Sequence, residues 1–100
     1  MRIGQLEDLW KGDMQSVSAE GKRLLIVRHD DGVSAYADRC AHLGVPLSEG
    51  KLENGLLTCR AHGWCYDART GRGVNPERAR LVAFPVEVRE GEIWVDPARG

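Results

Sequence analysis

Residues 40–64 read CAHLGVPLSEGKLENGLLTCRAHGW, and this stretch contains four side chains that commonly bind metal ions. Cys40 and His42 form a C-x-H cluster at its start, and Cys59 and His62 form a C-x-x-H cluster near its end. Sixteen residues, 43–58, separate the two clusters. Each cluster offers one thiolate and one imidazole, so the sequence predicts a metal centre held by two cysteines and two histidines.

The mixture of ligands within each cluster indicates which metal is expected. Structural zinc sites usually pair like ligands, as C-x₂₋₄-C and H-x₃₋₅-H, whereas each cluster here joins one cysteine to one histidine. In one class of [2Fe–2S] centre, two cysteines bind one iron and two histidines bind the other. We therefore expect Cys40 and Cys59 to bind one iron, and His42 and His62 to bind the other. A zinc-stabilised interaction domain without a redox role remains the alternative.

The sequence around the clusters is typical of short strands joined by tight turns. Asp31-Gly32 and Asn54-Gly55 are strong hairpin signals. Predicted strands are 14–20, 23–29, 33–38, 51–53, 56–58, 64–67, 84–89 and 92–96, and only 5–10 reads as one or two turns of helix. Short strands at this spacing predict an all-β fold of antiparallel sheets, a small sandwich or barrel. Each cysteine cluster then lies where a strand runs into a loop.

Length and composition limit the class of protein. One hundred residues predict a single domain, 1–100, and 42% hydrophobic residues are too many for a disordered chain. A net charge of −1 argues against a general nucleic-acid or membrane-surface binder. The longest apolar run, 24–27, cannot span a bilayer, and the first residues show no signal peptide, so we expect a cytoplasmic protein. Three cysteines, an odd number, argue against a disulfide scaffold.

The segments CAHLG (40–44) and CRAHGW (59–64) resemble the two ligand boxes of Rieske ferredoxins, and the resemblance extends over essentially the whole chain. TCRAH (58–62), NP (75–76) and PVEV (85–88) are most similar to the ferredoxins of toluene 4-monooxygenase and related four-component diiron monooxygenases. The resemblance implies the Rieske fold of antiparallel sheets, with one [2Fe–2S] cluster in a small cluster-binding subdomain at about 39–67.

The function that this resemblance implies is electron transfer and not catalysis. Such a ferredoxin takes single electrons from a flavin-containing NADH reductase and gives them to a diiron hydroxylase, which oxidises an aromatic or alkene hydrocarbon. Both contacts are expected to be transient, and the carrier is expected to be a monomer. The alternative is the ferredoxin of a Rieske aromatic-ring-hydroxylating dioxygenase, which has the same chemistry and a different acceptor.

Departures from the high-potential members of the family imply a low reduction potential. Those proteins carry an extra cysteine in each box, joined as a disulfide, and the matching residues here are Gly44 and Ala61. They also place a serine near the cluster, where this chain has Trp64. Tyr66 matches a tyrosine that donates a hydrogen bond to a ligand cysteine in those proteins. Such a bond is expected to raise the reduction potential modestly.

Residues beside the ligands are expected to shape the site and its surface. Gly44 and Gly63 allow the backbone to approach the cluster, and Trp64 either covers the cluster or forms a lid on the core. Transient redox interfaces are small and centred on the exposed edge of the cofactor. The residues expected to dock partners are Leu43, Val45, Pro46 and Trp64.

Two further side chains have ordinary interpretations in the sequence. Cys65 lies on the opposite strand face from Trp64 and Tyr66, and we expect it to be a small buried hydrophobic residue. His29 ends a strand before two aspartates, and we expect it to be a solvated surface histidine.

Overall fold

The regular secondary structure in the described part of the chain consists of strands and single 3₁₀ turns. The computed structural model describes residues 1–40, 45–61 and 63–99, without the side chain of residue 99. In chain order the strands are β1 (Arg2–Gln5), β2 (Met14–Ala19), β3 (Lys22–His29), β4 (Gly32–Ala37), β5 (Lys51–Glu53), β6 (Leu56–Thr58), β7 (Cys65–Asp67), β8 (Gly73–Asn75), β9 (Ala83–Phe84), β10 (Val86–Arg89) and β11 (Glu92–Val95). The 3₁₀ turns are Leu6–Asp8, Leu47–Glu49 and Pro97–Arg99. All strand pairs are antiparallel in this part of the chain, which confirms the all-β prediction.

The strands form three sheets. Their orders are β1-β11-β10, β2-β3-β4-β9 and β5-β6-β7-β8. The middle sheet lies between the other two, because both faces of β3 are covered. Leu24 and Ile26 pack into one core together with Ile93 of the first sheet. Leu25 and Val27 pack into a second core with Leu57 of the third sheet.

This three-layer arrangement follows from the alternation of side chains along a strand. The run from Leu24 to Val27 is continuously apolar, and each of its four residues is buried. Because successive side chains point to opposite faces, two of them enter each core. A strand that is buried on both faces has a continuous apolar run where a half-exposed strand would alternate. The longest apolar run of the sequence, 24–27, is therefore the part of the middle sheet that contributes to both cores.

The third sheet carries the predicted cluster-binding segment. Its hairpin between β5 and β6 turns at Asn54-Gly55, where both residues have positive φ, as the Asn-Gly signal predicts. Leu57 on β6 faces Tyr66 on β7, and both are fully buried against the middle sheet. This sheet therefore packs on the middle sheet, and Cys59 directly follows its strand β6.

The structure differs from the sequence prediction in its shortest elements. Residues 5–10 contain one 3₁₀ turn, Leu6–Asp8, and no α-helix, because residue 5 belongs to β1 and pairs with β11. The strands β1 and β8 were not predicted, and the predicted strand 84–89 is divided at Pro85 between β9 and β10. Each has only two to four residues, so its pairing partner decides its conformation. None of the described helices reaches the length and apolarity that crossing a membrane requires.

Candidate metal centre

Each of the two predicted ligand loops is closed by a backbone hydrogen bond of the same kind. The amide of Cys40 donates a hydrogen bond to the carbonyl of Val45, over 2.7 Å. The amide of Cys59 donates in the same way to the carbonyl of Trp64, over 2.8 Å. In each loop the cysteine comes first and bonds to the residue five positions later. Both cysteines are therefore held by backbone at the neck of a short loop.

The two cysteine side chains lie together in the core under the third sheet. Cys40 and Cys59 are each 1% exposed, and neither forms a disulfide. Burial raises the pKa of the Cys59 thiol, and the neighbouring Cys40 thiol raises it further. The Ala61 amide and the Arg60 guanidinium act in the opposite direction. The thiols are thus close enough to interact, and a metal ion that replaces their protons gains a pair of adjacent thiolate ligands.

A buried phenol lies beside one of these sulfurs. The Tyr66 hydroxyl is 3.4 Å from Cys40 Sγ, and the tyrosine side chain is fully buried. Tyr66 pairs with the buried Leu57 of β6, and both side chains enter the core that also contains Cys40. Strand pairing thereby brings a hydroxyl from one chain segment to a sulfur from another.

Contacts across the third sheet join the two loops. The Arg60 side chain donates to the carboxylate of Glu49 over 2.7 Å, and this links the turn after the first loop to the second loop. Both side chains are exposed, so the ion pair by itself contributes little stability. Gly50 lies so close to Thr58 that a Cβ at position 50 would overlap the Thr58 carbonyl oxygen. The glycine therefore allows the backbone just before β5 to lie against the end of β6.

The other predicted site residues divide into those that the structure describes and those that it does not. Gly63 has a φ of +66°, a conformation that glycine adopts without strain. Val45, Ala61 and Trp64 are half-buried and pack against the core that contains both cysteines, and Pro46 is also half-buried. The predicted residues His42, Leu43, Gly44 and His62 lie outside the described residues. Within 1–40, 45–61 and 63–99, no three Cys, His, Asp or Glu residues converge on a metal position.

Two side-chain predictions were wrong. Cys65 is half-buried, with Sγ 3.5 Å from the Thr58 hydroxyl and 3.4 Å from the Gly63 carbonyl. Because Tyr66 faces the core, its neighbour on β7 faces the outer side of the third sheet. His29 is half-buried and hydrogen-bonded, with Nε2 2.8 Å from the Ser34 hydroxyl and Nδ1 accepting from the Asp31 amide. The tight turn after β3 brings these partners back onto the ring.

Comparison with known proteins identifies the family to which this geometry corresponds. Residues 1–85 match the family model described as the Rieske [2Fe-2S] domain. The chain is 36% identical to the ferredoxin component of the alkene monooxygenase system of Xanthobacter autotrophicus, over 90% of this chain and 75% of that protein. It is 32% identical to the ferredoxin CarAc of Metapseudomonas resinovorans, over 95% of this chain and 91% of that protein. Several longer relatives also match, and the chain spans only 16–24% of their length.

Solved structures extend the similarity to the fold. One matching chain comes from the complex of reduced oxygenase and oxidized ferredoxin in carbazole 1,9a-dioxygenase. The match has a TM-score of 0.86 at 32% identity and covers 96% of this chain and 100% of that chain. Sequence and fold similarity therefore agree over nearly the whole length.

Proposed function

This chain belongs to the Rieske [2Fe–2S] family, and we propose that it delivers single electrons to the hydroxylase of a diiron monooxygenase. Family membership indicates one [2Fe–2S] cluster, and the ferredoxin relatives are electron carriers and not catalysts. We propose Cys40, His42, Cys59 and His62 as the four ligands. Residues 1–100 would act as one domain, with the cluster-binding part at about 39–67.

The observation that carries this proposal is the buried pair of thiols at the necks of two similarly closed loops. Cys40 and Cys59 are both almost inaccessible, and each starts a segment that contains one of the proposed histidine ligands. An iron with two thiolate ligands suits this position, since the Ala61 amide and the Tyr66 hydroxyl can both interact with the sulfurs. These residues therefore fit the ligand set expected of the family.

The protein's part in electron transfer is to hold, shield and tune the centre. The core around Cys40 and Cys59 excludes water from the thiolates, which favours a defined ligand geometry. When bound, the cluster supplies a one-electron redox couple at this end of the molecule. With Cys40 bound as a thiolate, the Tyr66 hydroxyl would donate to its Sγ and stabilise the negative charge there. Val45 and Trp64 keep part of their surface exposed beside the necks of the loops.

The partners are part of the same proposal. We propose that Leu43, Val45, Pro46 and Trp64 contact a flavin-containing NADH reductase and the hydroxylase in turn, through small and transient interfaces. We favour a monooxygenase because the relative from the alkene monooxygenase system is 36% identical to this chain. A ring-hydroxylating dioxygenase is the second candidate, supported by the match to a chain of the carbazole 1,9a-dioxygenase complex. We further propose a cytoplasmic monomer.

Low-temperature EPR of the chemically reduced protein tests the cofactor assignment. We expect a rhombic signal with the low average g of a histidine-ligated [2Fe–2S] centre. A colourless, EPR-silent protein that contains zinc would overturn the electron-transfer proposal in favour of an interaction domain. The acceptor is tested by adding the ferredoxin and an NADH reductase to purified oxygenases and measuring product formation. Turnover with a Rieske dioxygenase, and none with a diiron hydroxylase, would contradict the monooxygenase assignment.

The phenol beside Cys40 provides a test of how the protein tunes the centre. Replacing Tyr66 with phenylalanine is expected to lower the reduction potential by roughly 60 mV, because it removes a donor that favours the more negative reduced state. Protein-film voltammetry measures this shift. Tyr36→Phe is the matched control, since Tyr36 is equally buried in the same core but donates to the Ala68 carbonyl over 2.8 Å. Equal potentials in the two variants would contradict a specific effect of Tyr66.

A further inference from the structure

A buried carboxylate lies next to the first ligand loop. Asp38 is the only charged residue that is buried within 1–40, 45–61 and 63–98, and its side chain is completely inaccessible. It follows β4 directly and precedes Cys40 by two residues. Burying a carboxylate is costly unless hydrogen bonds replace the lost water, so its contacts indicate what it does.

Asp38 accepts three hydrogen bonds from two serines. The Ser16 hydroxyl donates to Oδ2 over 2.8 Å, and the Ser48 hydroxyl donates to the same oxygen over 2.8 Å. The Ser48 amide donates to Oδ1 over 2.9 Å. The Arg23 guanidinium lies 3.6 Å from Oδ2 and also donates to the Ser16 hydroxyl over 3.1 Å. The carboxylate therefore joins β2 and β3 of the middle sheet to the turn Leu47–Glu49.

The positions of these partners along the chain show which segments the hydrogen bonds of Asp38 connect. Asp38 lies just before the loop at 40–46, and Ser48 lies just after it. Two of the three hydrogen bonds, both from Ser48, therefore tie together the two ends of the segment that carries Cys40 and His42. The third, from Ser16, anchors this junction to the middle sheet. The Cys40–Val45 backbone bond closes the loop inside the same junction.

We infer that Asp38 is a positioning residue for the metal centre, and this inference rests on the proposed ligand set. Its carboxylate holds both ends of the first ligand loop on the middle sheet, so that the ligands of this loop meet those of the second loop. An apolar residue of similar size could fill the space at position 38, but it could not bind the Ser48 amide and hydroxyl together. Loss of the carboxylate or of its loop-side donor is therefore expected to loosen the centre itself.

The test compares variants on the two sides of the carboxylate with a control in the same sheet. Ser48→Ala removes one loop-side hydrogen bond and keeps the Ser48 amide bond, so it is a mild change. Asp38→Asn replaces one acceptor oxygen with a donor and disturbs the junction as a whole. Arg28→Met is the control, because it removes two hydrogen bonds, to the carbonyls of Leu6 and Leu9, away from the ligand loops. For each folded protein, the measurements are the rate of iron release to a chelator, the EPR spectrum and the thermal unfolding midpoint.

We expect Ser48→Ala to release iron about tenfold faster than the unaltered protein, the factor that corresponds to one hydrogen bond to a charged group. Asp38→Asn is expected to release it faster still, with shifted or broadened g values. Arg28→Met is expected to unfold at a lower temperature while it keeps the original spectrum and release rate.

The inference is overturned if Ser48→Ala and Asp38→Asn keep the original spectrum and release iron within about twofold of the Arg28→Met rate. The carboxylate would then stabilise the fold alone. If Asp38→Asn does not fold, Ser48→Ala decides the question. Failure of the proposed function has a different result: the unaltered protein itself would lack iron or the signal of a histidine-ligated centre.

Discussion

Replacing Cys59 with alanine is expected to produce a colourless protein that retains no more than traces of iron. The substitution removes one of two adjacent buried thiols, and a single remaining thiolate cannot complete the cysteine-bound half of the centre. The loss should be nearly complete, because the three proposed ligands that remain cannot replace the bond between the Cys59 thiolate and its iron. Iron content per chain and visible absorption measure the effect, and far-UV circular dichroism reports whether the sheets still form.

The third cysteine is the matched control for this substitution. Cys65 is close in sequence to Cys59, but its sulfur contacts the Thr58 hydroxyl and the Gly63 carbonyl on the outer side of the sheet. Cys65→Ala is therefore expected to keep the iron content and colour of the unaltered protein. Loss of iron in Cys65→Ala, with retention in Cys59→Ala, would reverse the assignment of the ligands.

Replacing His62 with cysteine is expected to lower the reduction potential by on the order of 100 mV or more. A thiolate carries a negative charge that a neutral imidazole lacks, so the substitution makes the reduced centre less favourable. Histidine-ligated centres have potentials of about −150 to +300 mV, against about −400 mV for plant-type ferredoxins with four cysteines. The EPR signal should also move to a higher average g. Voltammetry and EPR of the reduced protein measure both changes.

The control for this variant is the histidine that lies outside the ligand pattern. His29 bonds to the Ser34 hydroxyl and the Asp31 amide at the end of β3, and these contacts belong to the hairpin with β4. His29→Gln should therefore leave the potential and the EPR signal unchanged. An unchanged potential and spectrum in His62→Cys would show that His62 is not a ligand.

The fold was predictable from sequence wherever a local pattern was strong. The apolar run at 24–27 lies in the observed strand β3, and Asn54-Gly55 forms the turn of the observed β5–β6 hairpin. The prediction failed for 5–10, where a segment of three apolar and three polar residues reads as a helix although its first residue pairs with β11. The short strand β8 had no detectable pattern, because three residues are too few for an alternation to show.

For the candidate site, the sequence indicated the ligand types and one neighbouring side chain, but not the buried carboxylate. The ligand types and their spacing are properties of the chain itself, and they indicated a mixed cysteine and histidine centre. The family resemblance indicated Tyr66, whose hydroxyl lies 3.4 Å from Cys40 Sγ. Asp38 was not singled out, since an aspartate at the end of a strand is usually solvated. A possible signal was its place two residues before a ligand cysteine, with a serine shortly after the loop.

The sequence by itself therefore determined the kind of centre and the class of protein, because ligand identity and spacing are set by covalent chemistry. Only the tertiary structure decided which side chains surround the sulfurs. Cys40 and Cys59 are far apart in the chain and become neighbours when the third sheet packs on the middle sheet. The same packing buries Asp38 and brings Ser16 and Ser48 to its carboxylate. Contacts of this kind depend on burial and strand pairing between distant segments, which local sequence patterns do not encode.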